Sequence, residues 1–157
     1  GIAEIAAAAG LTAALRSRGE LPKRTTQIYV ADTVGELGLI YRLASAVFIG
    51  GSLVRHGGQN PVEAAKLRTA ILHGPHVWNF AEIYAALDKA HGAEPIDGVN
   101  RLTAHLAAWL SDPDACARVG QAGHAVMEKL GGALDRTLAS LDPYLMQLQL
   151  HQRTRHA

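Results

Sequence analysis

Short apolar runs alternate along this chain with segments whose apolar residues fall at helical spacing. "LTAALRS" (11–17) reads as a strand and "ELPKRTT" (20–26) as a polar loop. "QIYVA" (27–31) is a short β-rich run, followed by the loop "DTVGE" and by "LGLIYRLAS". There Leu37, Ile40, Leu43 and Ala44 share one helical face. "AVFIG" (46–50) is the next buried strand, and a helix opens at "NPVEAAKL" (60–67). "TAILHG" (69–74) and "AEPI" (93–96) are further apolar runs, separated by the helical "NFAEIYAALDKA" (79–90). Leu102, Leu106, Trp109 and Leu110 are expected on one face of the following helix. Everything after Asp112 reads as helical, with breaks at Gly131-Gly132 and Pro143.

Strands of this kind alternating with helices predict an α/β fold, a parallel sheet with helices on both faces. Ligands of such sheets bind outside the carboxyl ends of the strands. Three segments follow strand ends here, 32–36, 50–63 and 74–79, and all three are expected along one edge of the sheet. The nucleotide-binding domain is expected over residues 1–130, with a helical segment over 131–157. The opening "GIAEIAAAAG" has no initiating Met and reads as the inside of a helix ending at Gly10. A piece truncated on its N-terminal side is therefore expected.

Composition narrows the picture. The 157 residues are 48% apolar and 18% charged, which is globular usage with enough length for a sizeable core. A net charge of +1 gives no reason to expect a nucleic-acid partner. The single cysteine, Cys116, leaves no internal disulfide, and no apolar run is long enough to span a bilayer.

The candidate chemistry concentrates in "GGSLVRHGGQNPVEA" (50–64), which puts four glycines and an Asn-Pro pair between two apolar runs. One reading is structural: Asn60 caps the helix, Pro61 takes its first position, and Glu63 reaches back to complete a capping box. The other is ligand binding, with Gly57 and Gly58 clearing space for an anion before a helix N-terminus. The residues alone leave both open, and the segment is neither G-x-G-x-x-G nor a P-loop. In "DTVGEL", Asp32 and Thr33 are cap candidates, and Gly35 is a place where backbone can touch a nucleobase edge. His73 and His76 read as polar loop histidines, because no cysteine or carboxylate pair completes a metal shell. Ser52 reads as a loop serine without an assigned base. Trp78 and Phe80 read as packing anchors.

Taken together, "ADTVGELGLIYRLASAVFIGGSL", "GGQNPVEAA" and "GPHVWNF" resemble the C-terminal half of 3-deoxy-D-manno-octulosonic acid (Kdo) transferases, in order and spacing from about Leu11 to Asn79. The resemblance implies a Rossmann-like domain, the donor-binding half of a GT-B type glycosyltransferase. It implies transfer of Kdo from CMP-Kdo to lipid A precursor in lipopolysaccharide assembly, at the cytoplasmic face of the inner membrane. Val34, Gly35 and Glu36 match one CMP-contacting segment of the family. Asn60, Pro61, Val62 and Glu63 match a second, with the Glu63 carboxylate suited to ribose hydroxyls. On this reading the glycines of 50–64 bring backbone close to the nucleotide. Arg16 and Ser17 resemble an "RS" pair near the same cleft. Gln59 stands where a His is usual in the family, and Val34 where Met is common.

The resemblance implies no metal and no cofactor beyond the substrate CMP-Kdo. The general-base Glu belongs to the family's membrane-proximal N-terminal domain, so no catalytic residue is assigned in this chain. The expected partners are CMP-Kdo, lipid A precursor, that N-terminal domain and, through it, the inner membrane surface. The fragment alone is expected to be soluble and inactive. The alternatives are another GT-B nucleotide-sugar enzyme, such as a UDP-sugar transferase or epimerase, and a non-catalytic nucleotide-binding module.

Overall fold

The computed structural model describes residues 1–132, in two units, Gly1–Ile40 and a second beginning at Tyr41. In the first, α1 (Ile2–Ala8) packs on β1 (Ala13–Leu15) and β2 (Ile28–Val30), which pair in parallel with Ala14 opposite Tyr29. Ala6 and Ala14 are its buried residues, small enough for the helix and strand to approach closely. A 3-10 turn, Arg16–Arg18, follows β1, and the segment 31–36 leads from β2 to α2 (Leu37–Leu43). Ala44, expected on the α2 face, lies just past its end.

The second unit carries a three-stranded parallel sheet in the order β3 (Ala46–Ile49), β4 (Ala70–His73), β5 (Ala93–Pro95). Helix α3 (Val62–Lys66) connects β3 to β4, and α4 (Ala81–Lys89) connects β4 to β5. Helix α5 (Val99–Ser111) follows, and residues 113–132 are also helical.

Every residue of β4 is buried, because this central strand is covered on both faces. Ile71 faces Tyr84 and Leu87 of α4, Ala64 and Ala65 of α3, and Met127. Ala70 and Leu72 face Leu102, Leu106 and Trp109 of α5, with Cys116. The period-2 alternation of a strand thus feeds two cores. Cys116 contributes a donor to the Ser45 carbonyl oxygen at 3.2 Å, and burial pushes its thiol pKa up.

The parallel α/β class with helices on both faces is the one expected, but two details differ. The strands form two sheets rather than one, since β1 and β2 pair with each other and β3 opens the second sheet. The segment 32–36 therefore follows a strand of the first sheet, and 50–63 and 74–79 follow strands of the second. Leu110 is exposed while Leu102, Leu106 and Trp109 turn inward, because it lies about 100° round the helix from Trp109. The last helix is described as far as Gly132, so the break expected at Gly131-Gly132 falls at the limit of the described residues. The expected segment 131–157 and the break at Pro143 otherwise lie outside the described residues.

Candidate functional site

In the second unit the segments after β3 and β4 meet and are tied into one structure. Ser52 is fully buried. Its hydroxyl donates to the Ile49 carbonyl at 2.5 Å and accepts from the Gly74 N–H at 2.8 Å. The Ser52 carbonyl in turn accepts from the His76 N–H at 2.9 Å. Asn79 N–H donates to the Gly57 carbonyl at 3.1 Å, and the Tyr84 hydroxyl donates to the Gln59 carbonyl at 2.8 Å. Burial pushes the Tyr84 phenol well up, with the charges of Tyr41 and Asp88 adding to it, so it stays a hydroxyl donor.

This geometry gives the paired glycines a purpose that their sequence did not reveal. Gly57 and Gly58 have φ of 100° and 74°, a region that disfavours side chains, and both are buried. A Cβ on Gly57 would lie 2.5 Å from Asn79 Nδ2, and one on Gly58 3.2 Å from the His76 carbonyl oxygen. The room they leave is filled by the 74–79 loop. What they admit is the neighbouring loop, which holds the 50–63 segment in shape.

The end of that segment presents Asn60 to Glu63. Asn60 Oδ1 accepts from the Val62 N–H at 2.9 Å, so Asn60 does cap the turn into α3. Pro61 is buried, with φ −86° and ψ −8°, already helical. Glu63 does not complete the capping box. Its side chain is exposed and makes no hydrogen bond or ion pair among the described residues. It lies near enough to Tyr41 to add to the burial that raises that phenol's pKa.

In the first unit, Val34, Gly35 and Glu36 form a turn of different character. Val34 is fully exposed, and Gly35 has φ of 94° with nothing within 4 Å of the Cβ position. Glu36 is heavily engaged. Arg16 grips its carboxylate with Nη2 at 2.7 Å from Oε1 and Nε at 2.9 Å from Oε2, and Thr33 Oγ1 donates to Oε2 at 2.5 Å. The hydrogen bonds from Arg16 and Thr33 hold the Glu36 carboxyl down to about 2, and Glu36 raises the Arg16 guanidinium further. Asp32 accepts from the Ser17 N–H at 2.8 Å and the Ser17 hydroxyl at 2.6 Å. Those two bonds lower its pKa. Asp32 and Thr33, read as helix-cap candidates, serve Ser17 and Glu36 instead.

Three side-chain readings need correction. His73 is a core residue only 2% exposed, not a polar loop histidine. Its Nδ1 lies 2.8 Å from the Gly74 carbonyl oxygen, its Nε2 2.9 Å from Asp88 Oδ1, and its ring packs on Tyr84. The apolar run "TAILH" was the signal that could have placed it, since its last position continues a buried strand. Trp78, read as a packing anchor, is 55% exposed with its ring edge-on to His76, whereas Phe80 does pack against the core. Ser52 is a buried staple rather than a loop serine. Among the described residues no group of His, Cys, Asp and Glu is arranged to hold a metal.

No protein-family model matches the chain. Individual relatives do. A 3-deoxy-D-manno-octulosonic acid transferase from Haemophilus influenzae is 38% identical over 131 residues, 83% of this chain and 31% of that protein. One from Bordetella pertussis is 34% identical over 141 residues, 88% of this chain and 32% of that protein. The chain is similar to Kdo transferases over most of its own length. It spans about a third of the length of these relatives. A probable mitochondrial Kdo transferase of Arabidopsis thaliana matches 80% of the chain at 34% identity, so the family resemblance reaches beyond bacteria. Among solved structures, the C-terminal CMP-Kdo binding domain of WaaA from Acinetobacter baumannii superimposes with a TM-score of 0.75 at 30% identity. It covers 79% of this chain and 65% of that domain. The Kdo transferase resemblance of the three sequence motifs and the fold it implied are thereby borne out.

Proposed function

We propose that this chain is the donor-binding part of a Kdo transferase and that it holds CMP-Kdo. The observation that carries the reading is the likeness, in both sequence and fold, to a domain described as binding CMP-Kdo. Val34, Gly35 and Glu36 form one contact segment, with Asn60, Pro61, Val62 and Glu63 as the other. Glu63 is the better acceptor of the two glutamates, because its carboxylate has no partner among the described residues while that of Glu36 is already engaged. A free carboxylate can take charge-assisted hydrogen bonds from ribose hydroxyls.

The complete enzyme, on this reading, transfers Kdo to lipid A precursor at the cytoplasmic face of the inner membrane. It uses a base and an acceptor site supplied by a further domain, and no metal or other cofactor. No helix among the described residues is long and apolar enough to cross a membrane, so membrane contact is assigned to that further domain.

Calorimetric titration of the chain with CMP and with UDP tests the reading. Saturable CMP binding with no UDP binding is expected. Preference for UDP would move the protein to the UDP-sugar enzymes, and binding of neither would remove the donor assignment. Incubation of the chain alone with CMP-Kdo and lipid A precursor is expected to yield no product, since transfer needs a positioned acceptor and base.

A further inference from the structure

The turn carrying Val34 and Gly35 has almost nothing to hold it by packing. Val34 is fully exposed, the Cβ position of Gly35 meets nothing, and no backbone hydrogen bond closes the turn from 32 to 35. A loop with so few apolar contacts belongs to the low-stability end of a fold unless its ends are fastened. Here both ends are fastened to the 3-10 turn that follows β1. Asp32, before the turn, takes two hydrogen bonds from Ser17, and Glu36, after it, takes the fork of Arg16. Thr33 then bonds to Glu36 across the turn itself.

We infer that Arg16 is a positioning residue: through its two-pronged grip on Glu36 it presets the Thr33–Glu36 turn, so that the backbone of Val34 and Gly35 is presented to the donor nucleotide. The part about the nucleotide rests on the proposed donor-binding role, whereas the part about the turn rests on geometry alone. The geometry suits arginine and not lysine, because only a planar guanidinium meets both carboxylate oxygens from one side. The grip is also partly shielded, with the Arg16 and Glu36 side chains 36% and 32% exposed. Tyr29 also acts on Arg16, and Arg18 on Asp32. Within the proposed contact segment Glu36 is thereby the anchor that Arg16 holds.

Two measurements on the isotope-labelled 157-residue chain decide this. Without ligand, backbone relaxation at Val34 and Gly35 is compared in the wild type, Arg16→Gln, Glu36→Gln and the double variant. Each variant is expected to loosen the turn, the double no more than the singles, while β1 and the second unit keep their order. A turn as rigid in Arg16→Gln as in the wild type, or a loss spread over the whole first unit, overturns the inference. With CMP, Arg16→Gln is expected to bind roughly threefold to tenfold more weakly, as loss of a partly shielded charge-assisted contact implies. Arg16→Lys should restore little of it. The double variant should be no worse than the weaker single, because both act through one interaction. Additive losses would overturn the inference. Absence of CMP binding by the wild type would instead refute the donor-binding role, with the ligand-free relaxation still deciding what Arg16 does.

Discussion

Asp88 of α4 reaches the buried ring of His73 at the end of β4, Oδ1 to Nε2, across 2.9 Å. The pair joins a helix to the strand end from which the 74–79 loop departs. His73 also meets the Gly74 carbonyl, so the ring orients the first residue of that loop. Removing Asp88 alone leaves a buried imidazole nitrogen without its partner. Asp88→Ala is expected to cost about 1–3 kcal/mol of stability. Adding His73→Leu should return part of that loss, because the stranded imidazole nitrogen is removed, while the Gly74 carbonyl oxygen loses its ring partner. Urea unfolding of the two variants checks this, and a double variant weaker than Asp88→Ala by the full cost of a second lesion would contradict it.

Gly74 sits where two loops touch backbone to backbone. A Cβ there would collide with the Ser52 carbonyl group, which no side-chain movement can relieve. Gly74→Ala should therefore push the 50–63 and 74–79 segments apart, at a cost of about 1–3 kcal/mol or more. CMP affinity should fall with it, since Asn60 to Glu63 end the displaced segment. A melting temperature and a CMP titration both equal to the wild type would show that the loops are not fastened as described.

Glu63 separates stability from binding. Because it makes no capping-box bond, Glu63→Gln should melt with the wild type. Its CMP affinity should fall about tenfold to a hundredfold if the carboxylate accepts from ribose. The reverse result, a lowered melting point with unchanged affinity, would return Glu63 to a structural role and remove the binding assignment of Asn60 to Glu63.

Acid should release the Arg16 grip late. The Glu36 pKa is lowered from 4.5 to about 2 in the folded chain, chiefly by the Arg16 and Thr33 hydrogen bonds. A lowered carboxylate pKa stabilises the fold above the unfolded value and loses that contribution as pH falls toward the folded value. The contribution is thus present above about pH 4.5 and disappears between there and about 2. Asp32, lowered by Ser17, works in the same direction. Carbon-detected titration of the Glu36 carboxyl should give a midpoint far below that of ordinary glutamates, and Arg16→Gln should raise it. An ordinary midpoint in the wild type would contradict the bidentate contact.

Local information sufficed for much of this molecule. The short apolar runs "QIYVA", "AVFIG" and "TAILHG" placed β2, β3 and β4, and helical spacing placed α2 and α4, because a short apolar run or a period of 3.6 is a property of a few neighbouring residues. Asn-Pro marked the entry to α3, and three ordered motifs carried the family. What lay beyond reach depended on residues far apart in sequence. Nothing in "GGQN" says that its glycines are filled by Asn79 and Val77, and nothing in "LHG" says that His73 will find Asp88 fifteen positions later. The same holds for Glu36, which reads as part of a CMP-contacting segment and shows no tie to Arg16, twenty positions away, until the turn after β1 brings the two together. A side chain's role follows from the partner it meets: for Glu36 and the paired glycines that partner was chosen by the parallel pairing of strands, which brings distant loops together at their carboxyl ends, and for His73 by the packing of α4 on β4.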